Sequence, residues 1–363
     1  MKHHRLATVI ALASMTLSTS ATAGTVTTDG ADIKINTKGG LSVGTVDGNY
    51  SIKAGGRIMY DYNRAELDGE PDNTEDQFGI RRARLYLAGT INEFSYKAQF
   101  NILGGGSGGS PEDVYIRYNG WGKEKVVTVG RQRLPFGLEA QTSSNDITFL
   151  ERSAITESAD IGRADGVQLS GQRGDFTYAV AAFEDERFDG GDDFAAAARV
   201  TFAPINSDGN LLHLGLAHQD GGDDFSATGL EVAGTAGPLH AQVEWVDSDK
   251  DGESMEGYYV QVGYIFTGET RPYKGGKFKR VKPSGDNGAF EVVFRFEDGD
   301  GNHGDIEIGQ DNVNDIDDAE SYGIGLNWYP NSNVRFGVTY TEGESNTSDE
   351  EGKEFRARAQ LTF

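Results

Sequence analysis

The sequence predicts an all-β fold: sixteen antiparallel strands closed into a barrel that crosses a membrane, with a long third connection folded inward. Three observations carry this. Segments of alternating apolar and polar residues recur along the chain. Glycine is abundant, at 50, while proline is rare, at 8. The chain also ends on a strictly alternating segment closed by an aromatic residue, Phe363.

The last nine residues place Phe355, Ala357, Ala359, Leu361 and Phe363 on one face and Arg356, Arg358, Gln360 and Thr362 on the other. A period of two is a strand with one apolar face. Phe94 to Ile102, Phe176 to Ala182, Tyr258 to Phe266, Phe290 to Glu297 and Ser321 to Trp328 repeat the pattern. Several apolar faces begin or end on Tyr, Phe or Trp, as the aromatic girdles of a membrane barrel require. Strands are expected at 50–63, 77–90, 92–102, 112–119, 126–132, 164–172, 175–184 and 193–202. The second eight are expected at 210–219, 226–234, 238–247, 254–266, 287–297, 319–328, 332–342 and 353–363. The even total suits a single-chain bacterial barrel.

Connection lengths alternate. With both termini periplasmic, the outer connections are 64–76, 103–111, 133–163, 185–192, 220–225, 248–253, 298–318 and 343–352. The inner ones are short turns, except 267–286. No segment has the run of about 20 apolar residues that a membrane helix needs. Backbone satisfaction in lipid then leaves the closed barrel as the spanning solution.

The first 23 residues read as a signal peptide: Lys2 and Arg5, an apolar stretch from Leu6 to Leu17, and Ala21-Thr22-Ala23 as the cleavage site. The expected organisation is signal peptide 1–23, a periplasmic N-terminal segment 24–49 and the barrel 50–363, placed in the outer membrane of a Gram-negative cell. There are no cysteines, which excludes disulfides, thiolate metal sites and thiol nucleophiles. A formal net charge of -24 argues against nucleic acid, whose phosphates it repels.

The charge is unevenly spread. The connection 64–76 carries Glu66, Asp68, Glu70, Asp72, Glu75 and Asp76, and 298–318 carries eight acids and no Lys or Arg. Such loops suit either weak divalent-cation binding beside lipopolysaccharide or simple solubility. Alternation turns a different set toward the lumen: Lys53, Arg57, Arg82, Arg84, Lys97, Arg117, Arg199, Arg295, Arg335, Arg356 and Arg358. These eleven face four acids, Asp61, Glu244, Glu291 and Glu297. Rings of Arg and Lys in a pore favour anions and phosphate, and the planar guanidinium fork matches phosphate oxygens. The bland alternative is that these arginines pair with inward acidic loops and stiffen the wall.

Two connections are expected to shape the lumen. Residues 133–163 contain Ser143, Ser144, Asn145, Asp146, Glu151 and Arg152, with apolar anchors Phe136, Leu138, Ile147, Phe149 and Leu150 that favour packing inside the barrel. Residues 267–286 carry Arg271, Lys274, Lys277, Lys279, Arg280 and Lys282 against Glu269 and Asp286. This basic segment either folds into the periplasmic mouth or stands in solvent.

Several stretches together carry a family resemblance: GIRRARL at 79–85, VGRQRLPFG at 129–137, TFLERS at 148–153, GVQLSG at 166–171, YIFTGETRPYK at 264–274 and GLNWYPN at 325–331. With them the chain resembles the phosphate-selective porin O and P family over nearly its whole mature length. The resemblance implies a homotrimer of sixteen-stranded barrels with an Arg-lined lumen, passing small anions such as phosphate or polyphosphate by passive diffusion. The third connection has no lysine, a departure that bears on phosphate selectivity more than on anion preference.

Other classes stay in view. One is a general, weakly selective or cation-leaning porin. Another is a secreted calcium-binding β protein, since Asp247, Asp249, Asp251 and Gly252 match the first half of an EF-hand loop, although position 12 is Tyr258. A barrel lipase needs a Ser–His pair. None of His213, His218, His240 and His303 sits beside a nucleophile motif, so no enzyme and no cofactor is expected.

Overall fold

The computed structural model describes residues 24–27, 32–37, 39–67, 74–103, 109–184, 194–221, 225–250, 252–302, 306–308, 311–313, 317–345 and 351–363. The signal-peptide residues, Asp68, Glu70, Asp72, Asp251 and His303 lie outside the described residues.

Three short strands come first: β1 (Gly24–Thr27), β2 (Asp32–Asn36) and β3 (Leu41–Thr45). The barrel opens with β4 (Tyr50–Leu67), β5 (Thr74–Ile91), β6 (Phe94–Asn101), β7 (Ser110–Tyr118) and β8 (Val126–Arg133). After the short helices α1 (Leu138–Gln141) and α2 (Ala154–Ala159) follow β9 (Arg163–Arg173), β10 (Phe176–Glu184), β11 (Phe194–Ser207) and β12 (Asn210–Asp220). Then come β13 (Phe225–Ala236), β14 (Leu239–Lys250), β15 (Glu253–Ile265) and β16 (Ala289–Asn302). A small hairpin, β17 (Ile306–Ile308) and β18 (Asp311–Val313), precedes β19 (Asp317–Tyr329), β20 (Val334–Ser345) and β21 (Glu351–Thr362). The sixteen long strands pair antiparallel in sequence, and β21 closes on β4 from Thr362↔Arg57 to Gly352↔Leu67. Phe363 finishes the seam: its N–H donates to the Gly56 carbonyl at 3.0 Å and its carbonyl accepts from the Gly56 N–H at 2.7 Å. Below that point β3 takes the place of β21 beside β4, from Leu41↔Ala54 to Gly44↔Ser51.

Alternation has a direct physical readout. Outward Phe290 and Phe294 are 43% and 52% exposed, while the inward residues that follow each of them, Glu291 and Arg295, are 1% and 6% exposed. Apolar side chains stand on the outside because lipid is their solvent, and polar ones are buried within. No helix is long and apolar enough to cross a membrane among the described residues. Tight turns join strands at the end that carries the C-terminus. At Asp208 and Gly209 both φ values are positive, 51° and 80°, the geometry of a two-residue hairpin turn whose twist matches its strands.

Most strands run further than the apolar pattern predicts. β14 and β15 reach Lys250 and Glu253, so the expected connection 248–253 is almost all strand. Asp247 pairs with Glu256 and Asp249 with Ser254 in the β14–β15 ladder. An extended strand separates alternate residues by about 7 Å along one line, so these acids do not wrap one ion as an EF-hand loop does. Of the three acids expected in a calcium loop, Asp247 and Asp249 thus stand in a paired strand, and Asp251 lies outside the described residues. Similarly, 64–76 is shortened by β4 and β5, and 298–318 by β16 and β19.

The barrel is not hollow. Residues 134–162 fold inside it, and Leu134, Phe136, Ile155, Ala159 and Ile161 form one buried cluster with Phe183, Phe225, Val246 and Met255. The wall makes room with inward Ala181, Ala195, Ala197, Ala217 and Ala227. Glycines serve as sockets elsewhere. A Cβ on Gly257 would lie 2.6 Å from Ile155 Cδ1, one on Gly337 2.8 Å from Leu150 Cδ2, and one on Gly323 3.0 Å from Phe149 Cε1. At roughly 1.5–3 kcal/mol per large buried apolar side chain, this seat holds the segment firmly.

Residues 267–286 also fold inward. Tyr273 bridges Phe278, and the Lys279 N–H donates to the Pro272 carbonyl at 2.7 Å. Phe278 is fully buried and clusters with Leu138 of α1, Ala203, Leu211 and Ala233. The two inward segments therefore share one apolar contact inside the barrel.

Candidate functional site

The lumen is lined by what the two inward segments leave open. Strand irregularities decide which charges reach it. Phe78 and Ile80 point outward at even positions, whereas Leu85 and Leu87 do so at odd ones. The phase changes because the β4–β5 register shifts between Met59↔Arg82 and Tyr60↔Ile80, leaving Arg81 as an extra residue. A bulge of this kind re-aims a side chain, so Arg81 and Arg82 both face inward. A second shift, between Ala98↔Val114 and Phe100↔Pro111, brings Glu112 and Asp113 inward together. Strict alternation misses Arg81, Glu112 and Asp113.

Much of the expected arginine ladder is paired. Arg199 forms a two-bond fork with Glu231 at 2.7 and 2.6 Å and donates to the Gly276 carbonyl at 2.8 Å. Arg295 meets Glu139 at 3.0 Å and Glu297 at 3.3 Å and lies over the Phe149 ring at 4.2 Å. Arg335, 1% exposed, donates to the Ile147 and Thr148 carbonyls, both at 2.6 Å, and to Asn327. Arg358 forks onto Asp61 at 2.7 and 2.6 Å, and Arg356 holds Glu354 at 2.7 Å. The guanidinium groups of Arg199, Arg295 and Arg335 are enclosed, which departs from the reading of them as open pore lining, while Arg356 and Arg358 lie buried behind the partly exposed Glu151. The physical reason is the inward loop: its carbonyls and acids, together with wall acids such as Glu231 and Glu354, take up their donors.

The other wall cations stand on β4 to β9. Arg84 pairs with Glu112, and Lys97 meets Asp113 at 2.5 Å. Arg163, absent from the expected set, bridges Asp113 at 2.6 Å and Glu112 at 3.1 Å, and Arg133 pairs with Asp160 of the loop. Arg117 donates to Thr128 at 3.1 Å and covers the Tyr115 ring at 4.9 Å. Lys53 lies 5.7 Å from the centre of the Tyr86 ring. Arg57 donates to Ser144 at 2.6 Å.

The loop residues divide too. Arg152 turns back into its own loop, onto the Glu139 and Thr142 carbonyls at 3.1 and 3.0 Å and Glu157 at 3.0 Å. Ser143 accepts the Asn145 N–H at 3.3 Å, and Asn145 meets Gln360 at 3.3 Å. Asp146 sits at the tip in the field of Lys279, Arg280, Arg57 and Arg271, yet burial raises its carboxyl above the usual range. Glu151 receives Arg82 at 3.0 and 2.7 Å, Arg81 at 3.2 Å, Arg356 at 3.1 Å, and Arg358. Burial alone would raise the Glu151 carboxyl, but these arginines hold it well below the usual carboxylate range.

On the basic segment, Lys274 and Lys282 are exposed to solvent outside the cluster. Arg271 lies 4.1 Å from the Phe278 ring centre and donates to Gln242 at 2.8 Å and to the Asp146 carbonyl at 3.3 Å. Arg280 donates to Thr362 at 2.9 Å. Lys277 faces Lys279, Arg199, Arg117 and Arg133, and burial together with these cations pushes its ammonium down to about 7. His213 bonds Tyr273 at 2.6 Å and Glu231 at 2.9 Å, tying the segment to the wall. No group of His, Asp and Glu suited to a metal ion exists among the described residues.

A closed sixteen-stranded barrel with an apolar outer face, a loop folded into its lumen and charged walls defines a porin of the outer membrane. The chain matches the family described as "Phosphate-selective porin O and P" over residues 52–226 and 217–363. It is 31% identical to Porin O of Pseudomonas aeruginosa, with all of both chains covered. The chain belongs to the phosphate-selective porin O and P family. Among solved structures it is similar to the anion-selective porin from Comamonas acidovorans, with a TM-score of 0.59 at 14% identity, covering 86% of this chain and 100% of that one. It is also similar to Pseudomonas putida OprB, with a TM-score of 0.61 at 9% identity, covering 88% and 95%. In-vitro folded OmpT of Vibrio cholerae in its trimer form gives a TM-score of 0.55 at 12% identity, covering 86% and 99%.

Proposed function

We propose that this porin lets small anions diffuse passively along one flank of its lumen, between the β4–β9 wall, the tip of the inward loop and the basic segment. One observation carries the reading. Lys53, Arg57, Arg117, Arg271, Lys277, Lys279 and Arg280 have no carboxylate partner within ion-pair distance among the described residues. Four of them, Lys279, Arg280, Arg57 and Arg271, surround Asp146. Unpaired cations in a narrow passage favour anions while binding weakly enough to release them. Phosphate and polyphosphate are the proposed solutes, as the family description and the guanidinium fork suggest.

The protein acts in this reading as a channel without a catalytic step. It works as a homotrimer, in line with the trimer form of its OmpT neighbour. Cleavage after Ala23 leaves 24–49 on the periplasmic side, and the acidic outer loops meet lipid and lipopolysaccharide. The test is the zero-current potential across a planar bilayer under a KCl gradient. A chloride-directed sign is expected. A potassium-directed sign would mean that Glu112, Asp113, Asp146 and the outer loops dominate, making this a cation-leaning porin. Replacing Arg82 and Arg84 by Gln should lower the anion preference, since Glu151 and Glu112 would lose compensation. Unchanged selectivity in that variant rules out a role for this part of the wall.

A further inference from the structure

We infer that Glu151 is an internal pseudo-ligand: its carboxylate occupies an oxyanion site formed by Arg81, Arg82, Arg356 and Arg358, and a permeating carboxylate or phosphate binds this tetrad by taking its place. The inference rests on the anion-diffusion reading.

The site is assembled from two strands. The β5 bulge turns Arg81 and Arg82 inward, and β21, on the other side of β4, supplies Arg356 and Arg358. Arg82 grips Glu151 through both terminal nitrogens, at 3.0 and 2.7 Å, the fork geometry by which arginine recognises carboxylate and phosphate. Arg81 adds Nε at 3.2 Å, and Arg356 and Arg358 each add a terminal nitrogen. Among the described residues, Glu151, Asp61 and Glu354 are the carboxylates that these guanidinium groups meet. Without Glu151 the Arg82 fork would lose the two acceptors it holds at 3.0 and 2.7 Å.

A purely structural reading treats Glu151 as the clasp that holds the loop. The loop does not depend on it. Arg335 binds the Ile147 and Thr148 carbonyls, Arg358 binds the Leu150 carbonyl, and Arg295 binds the Glu151 carbonyl at 3.1 Å. Glu297 accepts the Ala154 N–H at 2.7 Å. Meanwhile the Glu151 side chain keeps 27% of its surface exposed and Arg81 keeps 22%, so the carboxylate stands at an accessible edge of the tetrad. Each permeating anion must compete with a tethered carboxylate, which keeps residence short, as a diffusive channel requires.

The experiment is block of single-channel chloride current by inorganic phosphate in the full-length folded protein. Glu151→Ala vacates the tetrad, and the half-blocking phosphate concentration should fall about tenfold, the worth of one charge-assisted hydrogen bond. The triple variant Glu151→Ala, Arg81→Gln, Arg82→Gln should return it to the wild-type value or above. Unchanged block in the single variant, or tightening that survives in the triple one, overturns the inference. Should the alanine variant fail to assemble, the isosteric Glu151→Gln, which removes charge but not bulk, should tighten block about threefold; no tightening there overturns it equally. The wild-type reversal potential reads the anion-diffusion proposal separately, so the two failures are distinguishable.

Discussion

Lys277 should make the anion preference of this porin depend on pH near neutrality. Its ammonium is pushed down to about 7 by burial and by Lys279, Arg199, Arg117 and Arg133. The charged form exists below that value and is lost as pH rises through it. With a midpoint of about 7, roughly 90% of channels carry the charge at pH 6 and only about 3% at pH 8.5. A monovalent ion passing at about 5 Å feels one unit charge by ~0.8 kcal/mol in a water-like dielectric, a factor of about 4 in local concentration. Chloride loses that factor and potassium gains it, so the chloride-to-potassium permeability ratio should fall on the order of tenfold between these pH values. The assay is the reversal potential under a KCl gradient at pH 6 and 8.5. Lys277→Met should give a flat profile at the lower ratio. Asp146 is not among the charges that act most strongly on Lys277, so Asp146→Asn should leave the neutral limb in place. A pH dependence that survives Lys277→Met would refute the assignment.

Arg335→Leu should raise single-channel conductance and its flicker. The substitution removes two charge-assisted bonds of 2.6 Å to the Ile147 and Thr148 carbonyls, about 1.5–3 kcal/mol each. The apolar seat of Leu134, Phe136 and Ile155, at roughly 1.5–3 kcal/mol per side chain, holds the rest of the loop, so only the tip should loosen. An unchanged conductance trace would argue against that anchor. Gly257→Val should push Ile155 and α2 off the wall, because a Cβ there lies 2.6 Å from Ile155 Cδ1. Overpacking of this kind costs about 1–3 kcal/mol. The midpoint of heat-induced unfolding on gels should fall, and adding Ile155→Ala should recover part of the loss.

The barrel was legible because lipid and lumen impose a period of two on every strand, and Glu291 and Arg295 keep it without interruption. Legibility ended where that period slips. Arg81 reads as outward by counting back from Arg82, yet Phe78 and Ile80 already carry the opposite phase to Leu85 and Leu87, so the bulge left a trace in the apolar residues. Glu112 and Asp113 left a weaker one, since Pro111 opens the strand and few outward apolar residues precede it. Glu151 was legible as a residue of the inward connection, but its pairing had no local signal. Its partners Arg82 and Arg358 lie 69 and 207 residues away, and only the inward course of the loop brings them together.

Counting basic residues on a predicted inner face therefore measures the wrong quantity. Arg335 and Lys277 both lie inside the barrel, but they differ in what closes their donors. The Arg335 fork is filled by two carbonyls and Asn327, so its charge is spent within the wall of the loop. Lys277 meets only other cations among its strongest electrostatic neighbours, so its charge remains directed at whatever passes. Glu151 lies between these cases: its carboxylate neutralises part of the tetrad at an edge that a passing anion can reach. Selectivity in such a channel follows from how many cations the inward loops leave without an acceptor. That number changes with one carboxylate in a loop more readily than with one arginine in the wall, because a single loop acid closes several guanidinium groups at once.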